Sequence, residues 1–290
     1  MKTGWLVVNH FLATNKFTEH YDWLRKAAEN VDIALILKTG VDLMNEIGQG
    51  LLSSEPLPDF VLFWDKDIRL ASALENLGLK VFNNARAISL CDDKSLTHLN
   101  LAGQIPMPKT ICAPMTYPAV GYPDVSFVKR AVEVLGLPMV IKECYGSFGF
   151  QVYLANTLED AETLVKKLAG TPFIMQEFID SSKGRDVRLQ VVGKQVVAAM
   201  YRYNDQGDFR ANITNGGKMK AYEPTEEQKE LAVTACSILG LDFAGVDFLF
   251  GEHNEPILCE INSNAHFKNL YSCTGVNVAE AILDHIAKNI

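Results

Sequence analysis

Two acids and an amide near the carboxyl end carry the most legible chemistry in this sequence. Asp247 interrupts the apolar run of residues 243–250, and Glu260 and Asn262 interrupt the run 257–262. Runs of this length around a short polar turn at 251–255 read as a hairpin. A turn centred between His253 and Asn254 sets Asp247 directly opposite Glu260, with Asn262 two residues on and so on the same face. Facing like charges destabilise a strand pair, and burying them without a counter-charge costs several kcal/mol. A divalent cation removes the conflict. Oxygen-only ligands from two carboxylates and an amide suit Mg²⁺ or Mn²⁺, with phosphates and water completing the shell. The alternative is an edge hairpin whose acids both face solvent.

The basic residues are more ambiguous. Lys142 ends the run Met139-Val140-Ile141 ahead of the loop Gly146-Ser147-Phe148-Gly149. A strand ending in lysine followed by a glycine loop can cradle phosphate, because glycine lets backbone N–H groups approach an anion. A plain hairpin turn has the same appearance, and the P-loop spacing is absent. Lys94, after Asp92-Asp93, opens a helical stretch and by itself reads as a solvated residue. Arg185-Asp186-Val187-Arg188 and Arg202 add charge to the same half of the chain. Alternation puts Asp186 and Arg188 on one face, where a surface ion pair contributes little. The polar, glycine-rich segment 209–217 reads as a loop.

The elements that must hold these residues fall into two patterns. Up to about residue 83, strands at 6–9, 33–37, 60–64 and 79–83 alternate with helical periodicities, one of them marked by Phe17, Tyr21, Leu24 and Ala28. That order predicts an open parallel sheet covered by helices. No Gly-x-Gly-x-x-Gly follows its first strand, so a dinucleotide-binding domain lacks its phosphate loop. Beyond the extended stretch Ile105-Pro106-Met107-Pro108-Lys109-Thr110, helices at about 124–135 and 158–168 alternate with strands at 139–143, 152–154 and 173–179. Two hairpins follow, 185–203 and 244–262, separated by a helix at about 224–239 and closed by one at about 276–287.

Composition narrows the class. A chain of 290 residues with 48% hydrophobic content supports two or three packed modules. A formal charge of −8 argues against nucleic acid as a partner. No segment approaches the roughly 20 apolar residues of a membrane span, and the amino terminus lacks a signal h-region. Six cysteines, at 91, 112, 144, 236, 259 and 273, include no Cys-x-x-Cys pair. They read as reduced core residues of a cytoplasmic protein.

Taken in order, Asp93-Lys94, Ile105–Thr110 with its two prolines, Val140-Ile141-Lys142 with the glycine loop, Gln176-Glu177-Phe178-Ile179, Arg185–Arg188, Phe209-Arg210-Ala211-Asn212, Gly245-Val246-Asp247 and Glu260-Ile261-Asn262 resemble the ATP-grasp superfamily. The similarity is greatest to its RimK-type carboxylate–amine ligases. It covers about residues 80–290, while the first 80 match only by their α/β pattern. The resemblance implies an α/β fold with α+β grasp lobes: an N-terminal open parallel pre-grasp domain (1–90), a lobe with the glycine loop (91–175) and a lobe with the metal hairpin (176–290). It implies that Lys94, Lys142, Gly146, Ser147, Phe148 and Gly149 hold the phosphates of ATP. Glu177, Phe178 and Ile179 would read adenine, Asp186 would hold the ribose, and Arg210, Ala211 and Asn212 would line the nucleotide and acyl-phosphate region. Asp247, Glu260 and Asn262 would bind Mg²⁺ or Mn²⁺, expected as two ions. Arg188, Arg202 and Arg210 are the catalytic candidates for stabilising developing negative charge. Two departures stand out: Gln151 occupies a common third-glycine position, and Asn262–Lys268 replaces the RimK-type Asn-Ala-Ser-Pro-Gly, which puts the usual glutamate specificity in doubt.

The implied reaction activates a carboxylate as an acyl phosphate and lets an amine displace phosphate, giving an amide or peptide bond. The partners are then ATP, a carboxylate and an amine, on a small molecule, a peptide or a protein tail; a homo-oligomer is left open. Two other readings stand beside it: a small-molecule kinase that stops after phosphoryl transfer, and a non-catalytic nucleotide-binding regulatory module. No general base is assignable, although His266 is near the hairpin in the chain.

Overall fold

The computed structural model describes residues 1–290 except Ala13, Ser147, Phe148, Thr214 and Asn215. The chain begins with β1 (Lys2–Val8), α1 (Asn15–Glu29), β2 (Ile33–Thr39), a short hairpin of β3 (Asn45–Glu46) and β4 (Gly50–Leu51), β5 (Phe60–Trp64), α2 (Ile68–Asn76) and β6 (Val81–Phe82). The four longer-range strands form a parallel sheet in the order β2-β1-β5-β6. Its central strand β5 is buried throughout, the pattern expected when helices cover both faces. Tyr21, Leu24 and Ala28 of α1 pack on one face, and Leu70 and Leu74 of α2 on the other. Chain direction across the sheet reverses between β1 and β5. A crevice therefore opens at their carboxyl ends, next to Asn9 and Asp65.

Two short helices follow, α3 (Ala85–Asp92) and α4 (Lys94–Leu101). Asp93 caps α4 by accepting from the backbone N–H groups of Ser95 and Leu96. The cap starts the helix at Lys94. An antiparallel sheet then forms in the order β7-β10-β8-β9 from β7 (Thr110–Cys112), β8 (Met139–Glu143), β9 (Val152–Ala155) and β10 (Phe173–Glu177). It is backed by α5 (Ser126–Leu135) and α6 (Leu158–Lys167). The expected strand 173–179 stops at Glu177, leaving Phe178 and Ile179 in the connection to the next lobe.

The third sheet, β13-β12-β11-β14-β15, is antiparallel and comprises β11 (Arg185–Val192), β12 (Gln195–Tyr203), β13 (Lys218–Ala221), β14 (Phe243–Phe250) and β15 (Pro256–Asn262). Helix α7 (Glu226–Leu239) covers its apolar face through Ala232, Cys236 and Leu239. Gly240, in the left-handed conformation, ends that helix. Ala87, Cys91 and Leu101 of α3 and α4 share this core. After α8 (Lys268–Thr274), the final helix α9 (Val278–Asn289) returns to the first sheet and packs Val278, Ile282 and Ile286 beside α1. The pairing of β14 with β15 differs from the expected turn. Phe250 faces Pro256 and Phe248 faces Leu258, so the turn is centred on His253; an irregularity at Cys259 then brings Asp247 opposite Glu260. The two offsets cancel, and the expected pairing of the acids stands.

Candidate active site

The third sheet sets charge in rows. Its register puts Arg188 beside Asp247, Asp247 beside Glu260, and Asp186 beside Arg202. Alternation keeps these side chains on one face, while Val187, Leu189, Val246 and Phe248 fill the core behind them. Arg188 grips Asp247 through two parallel bonds, Nε to Oδ1 and Nη2 to Oδ2, both 2.7 Å. Arg202 holds Asp186 in the same way at 2.6 and 2.8 Å, and also reaches Asp247 Oδ2 at 2.9 Å. A planar guanidinium makes this forked contact where an ammonium cannot.

Two sequence expectations are corrected here. Asp186 does not form an exposed pair with Arg188; its partner is Arg202, and both are buried. Nor are Asp247 and Glu260 facing acids without counter-charge. Asp247, only 3% exposed, is neutralised by two arginines, and Glu260 lies 3.7 Å from Lys94 Nζ. Alternation along one strand predicted the faces correctly. It could not reveal that the neighbouring strand supplies the cations. Burial pushes the Asp247 carboxyl up, but the Arg188 and Arg202 guanidiniums outweigh it and hold the group below the usual carboxylate range. Burial raises Asp186, and the adjacent Asp247 adds to this against the pull of Arg202.

Lys94 and Lys142 converge on the cleft in front of this face. Lys94 is 7% exposed rather than solvated. Its Nζ lies 3.4 Å from the carbonyl oxygens of Cys144 and Gly146. Lys142, on β8, brings Nζ to 3.8 Å from Cys259 Sγ. The β15 irregularity turns both Cys259 and Glu260 toward the cleft, so Cys259 lines it instead of the core. Cys112 is exposed, and all six cysteines are free. Arg210 donates to Gly149 O at 2.8 Å and to Asp208. These groups, with Glu177, Phe178, Ile179, Asp186, Ala211 and Asn212, line a cavity of about 100 Å³. Ser147 and Phe148 lie outside the described residues. Gly146 has φ +138°, and a Cβ there would meet the Gln151 side chain at 2.4 Å. The positive φ is what favours glycine here, since the Gln151 amide is the movable end of a flexible side chain.

His98 was not singled out by sequence, yet it joins two lobes. Its Nδ1 lies 2.7 Å from Lys94 O and its Nε2 lies 2.8 Å from Gln176 Nε2, which also donates to Thr110 Oγ1. This network assigns a neutral ring, with Nδ1 donating and Nε2 accepting. Burial, reinforced by the Lys142 and Lys94 charges, drops its pKa to about 4. As pH falls through about 6.5, the unfolded chain takes up a proton here and the folded chain does not. Stability therefore declines between about 6.5 and about 4, by roughly 3 kcal/mol in total. Denaturant unfolding across this window should show a shallower acid slope for His98→Gln than for the wild type.

A second cavity, about 560 Å³, adjoins the first and extends to the carboxyl ends of the parallel strands. Arg202, Asn212 and Glu260 line both cavities. Its wall includes Arg188, Asn262 and the loop at 264–266. The loop is fixed from the first sheet's side. Phe267 is fully buried and lies against Trp64, and the N–H groups of Phe267 and Lys268 point to His20 Nε2 at 3.2 and 3.4 Å. His266 makes edge contacts with Phe17 and His20. This explains locally why 263–268 departs from Asn-Ala-Ser-Pro-Gly: Phe267 anchors the loop to α1.

The donor set fits a hard cation that keeps much of its shell from outside the protein. Asn262 Nδ2 is buried without a hydrogen-bond partner among the described residues, so no protein group fixes which way its amide points. Among those residues no three His, Cys, Asp or Glu side chains gather as a complete metal site. Water and phosphate oxygens would supply the remaining ligands, as they commonly do for magnesium.

An α/β module followed by two lobes joined after Glu177, with a facing acidic hairpin, defines the ATP-grasp class. The model for the RimK-like ATP-grasp domain matches residues 91–286, and the chain belongs to that family. It is 33% identical over 273 residues to an uncharacterized protein of Mycoplasma pneumoniae, covering 91% of this chain and 92% of that one. It is 36% identical over 217 residues to a probable alpha-L-glutamate ligase of Enterobacter sp. (strain 638), covering 74% and 70%. The RimK domain ATP-grasp protein of Sphaerobacter thermophilus shares the fold, with a TM-score of 0.73 at 20% identity over 98% of this chain and 99% of that one. The family comprises ATP-grasp carboxylate–amine ligases, which bind ATP and use divalent cations. No helix among the described residues is long and apolar enough to cross a membrane.

Proposed function

We propose that the chain is an acid–amino-acid ligase that joins a carboxylate to an amine through an acyl phosphate. One observation carries this reading: the basic cleft and the larger cavity meet at Arg202, Asn212 and Glu260. A γ-phosphate in the first would lie beside a carboxylate in the second. The functional division that follows is a substrate-facing module (1–90) and two grasping lobes (91–175 and 176–290), with α9 returning to the first.

A substrate carboxylate oxygen attacks the γ-phosphorus and ADP leaves. The amine then attacks the acyl carbon, loses a proton, and inorganic phosphate departs. Lys94 and Lys142 now contact loop carbonyls and Cys259, weaker partners that phosphate oxygens would replace, while Arg210, held by Asp208, would add its remaining donors. Glu177, Phe178 and Ile179 would border the adenine and Asp186 the ribose. Arg188 and Arg202, prealigned by Asp247 and Asp186, offer fixed positive charge without reorganisation. Asp247, Glu260 and Asn262 would hold Mg²⁺ or Mn²⁺, which supplies charge neutralisation at the phosphates. The loop from Gly146 to Gly149 would exclude water from the acyl phosphate.

The decisive assay is ADP release that requires both a carboxylate and an amine, with the amide identified by mass spectrometry. A phosphorylated product formed without amine would instead indicate a kinase, and nucleotide binding without ADP across a broad panel would indicate a regulatory module. Gly146→Ala tests the lid. Strain at a positive φ costs about 1–3 kcal/mol, so ATP affinity in a nucleotide titration should fall by roughly tenfold.

A further inference from the structure

The larger cavity contains an asymmetry of charge that the ligase reading does not use. Its positive side chains are already matched. Lys66 is paired with Asp92, Arg188 with Asp247, and Arg202 with Asp186 and Asp247. Of the acids on its wall, Glu260 faces Lys94. Asp65 has no ion-pair partner among the described residues. It accepts only from its neighbour Lys66 N–H at 2.8 Å and from Asn9 Nδ2 at 3.3–3.4 Å.

The position of Asp65 is as telling as its charge. It directly follows β5, and Asn9 directly follows β1. These are the neighbouring strands at which the strand order of the parallel sheet reverses. Ligands of open α/β sheets bind in that crevice, outside the carboxyl ends of the strands. A partly desolvated carboxylate there, in no ion pair with a described residue, is completed by a cation from the ligand. Burial also raises its pKa, outweighing the bonds from Lys66 N–H and Asn9 and the nearby Lys66 charge.

Resting on the ligase reading, we propose that Asp65 binds the ammonium group of the substrate amine, and that this amine has an apolar or neutral body rather than further carboxylates. The second half follows from the same inventory. Leu12, Phe17, Met200 and Ile213 supply apolar wall, while each lysine and arginine on that wall already has an acid. A second carboxylate on the amine, as in glutamate, would add competition with those acids for the same cations. An uncharged side chain adds none.

The test separates recognition from turnover. Binding of L-leucine, L-glutamate and N-acetyl-L-leucine is measured calorimetrically on the full chain without ATP, beside ADP release with ATP and Mg²⁺. L-leucine is expected to bind more tightly than L-glutamate, and acetylation is expected to abolish binding. Asp65→Asn should weaken L-leucine by roughly tenfold to a hundredfold, leave ATP affinity unchanged, and be partly rescued by Asp65→Glu. Equal binding of the acetylated probe, tighter binding of L-glutamate, no binding of L-leucine, or wild-type affinity in Asp65→Asn would overturn the proposal. Loss of ADP release with every carboxylate–amine pair, alongside intact Asp65-dependent binding, would overturn the ligase reading alone.

Discussion

Arg202→Met is expected to lower the free energy of unfolding by about 3–5 kcal/mol. The residue is 4% exposed and makes the only ion pair to Asp186 among the described residues, besides its bond to Asp247. Removing it leaves the Asp186 carboxylate buried with its partner gone, while Asp247 keeps Arg188. The cost is that of an orphaned charge, not of a lost surface pair. The double variant Asp186→Asn/Arg202→Met should recover a large part of the loss, because replacing both partners is far less costly than removing one. Urea unfolding of the wild type, the single and the double variant at neutral pH reads both effects. A single-variant loss under about 1 kcal/mol would place the pair effectively in solvent, against its burial.

Glu260→Gln should produce the converse: a folded protein with little activity. The Glu260 side chain is 29% exposed and its cationic neighbour is 3.7 Å away. Its removal should therefore alter stability by less than about 1 kcal/mol. As a proposed metal ligand it is a different matter. Neutralising it should reduce turnover on the order of a hundredfold or more and raise the Mg²⁺ concentration needed for half-maximal rate. Steady-state ADP release titrated with Mg²⁺, beside an unfolding curve, tests this. Wild-type turnover at unchanged Mg²⁺ dependence would remove Glu260 from the metal site; turnover lost together with stability would make it structural.

The pairing of Asp247 with Glu260 was legible because strand periodicity is short-range. An acid inside an apolar run must face opposite to its neighbours, and two such runs around a turn bring the acids together. The turn itself was misplaced by half a residue. The Cys259 irregularity compensated, a feature with no signal in an alternating pattern. The order of lysines, glycine loop and linker identified the family. Asp65 and His98 carried no motif: one is a residue just past an apolar strand, the other a histidine within a helix.

By itself the sequence determined the alternation of elements, the face on which each strand presents Asp186, Arg188, Asp247 and Glu260, and membership of the RimK-like family, since these follow from local periodicity and motif order. Only the tertiary structure decided which charges meet. Arg202 answers Asp186 and Asp247 because β12 and β14 flank β11. Lys94 reaches Glu260 because capped α4 packs against the third sheet's core. Asp65 is left without an ion-pair partner among the described residues because the parallel sheet opens its crevice there. Ion pairing depends on a few ångströms across the chain, and residue spacing along it carries no such distance.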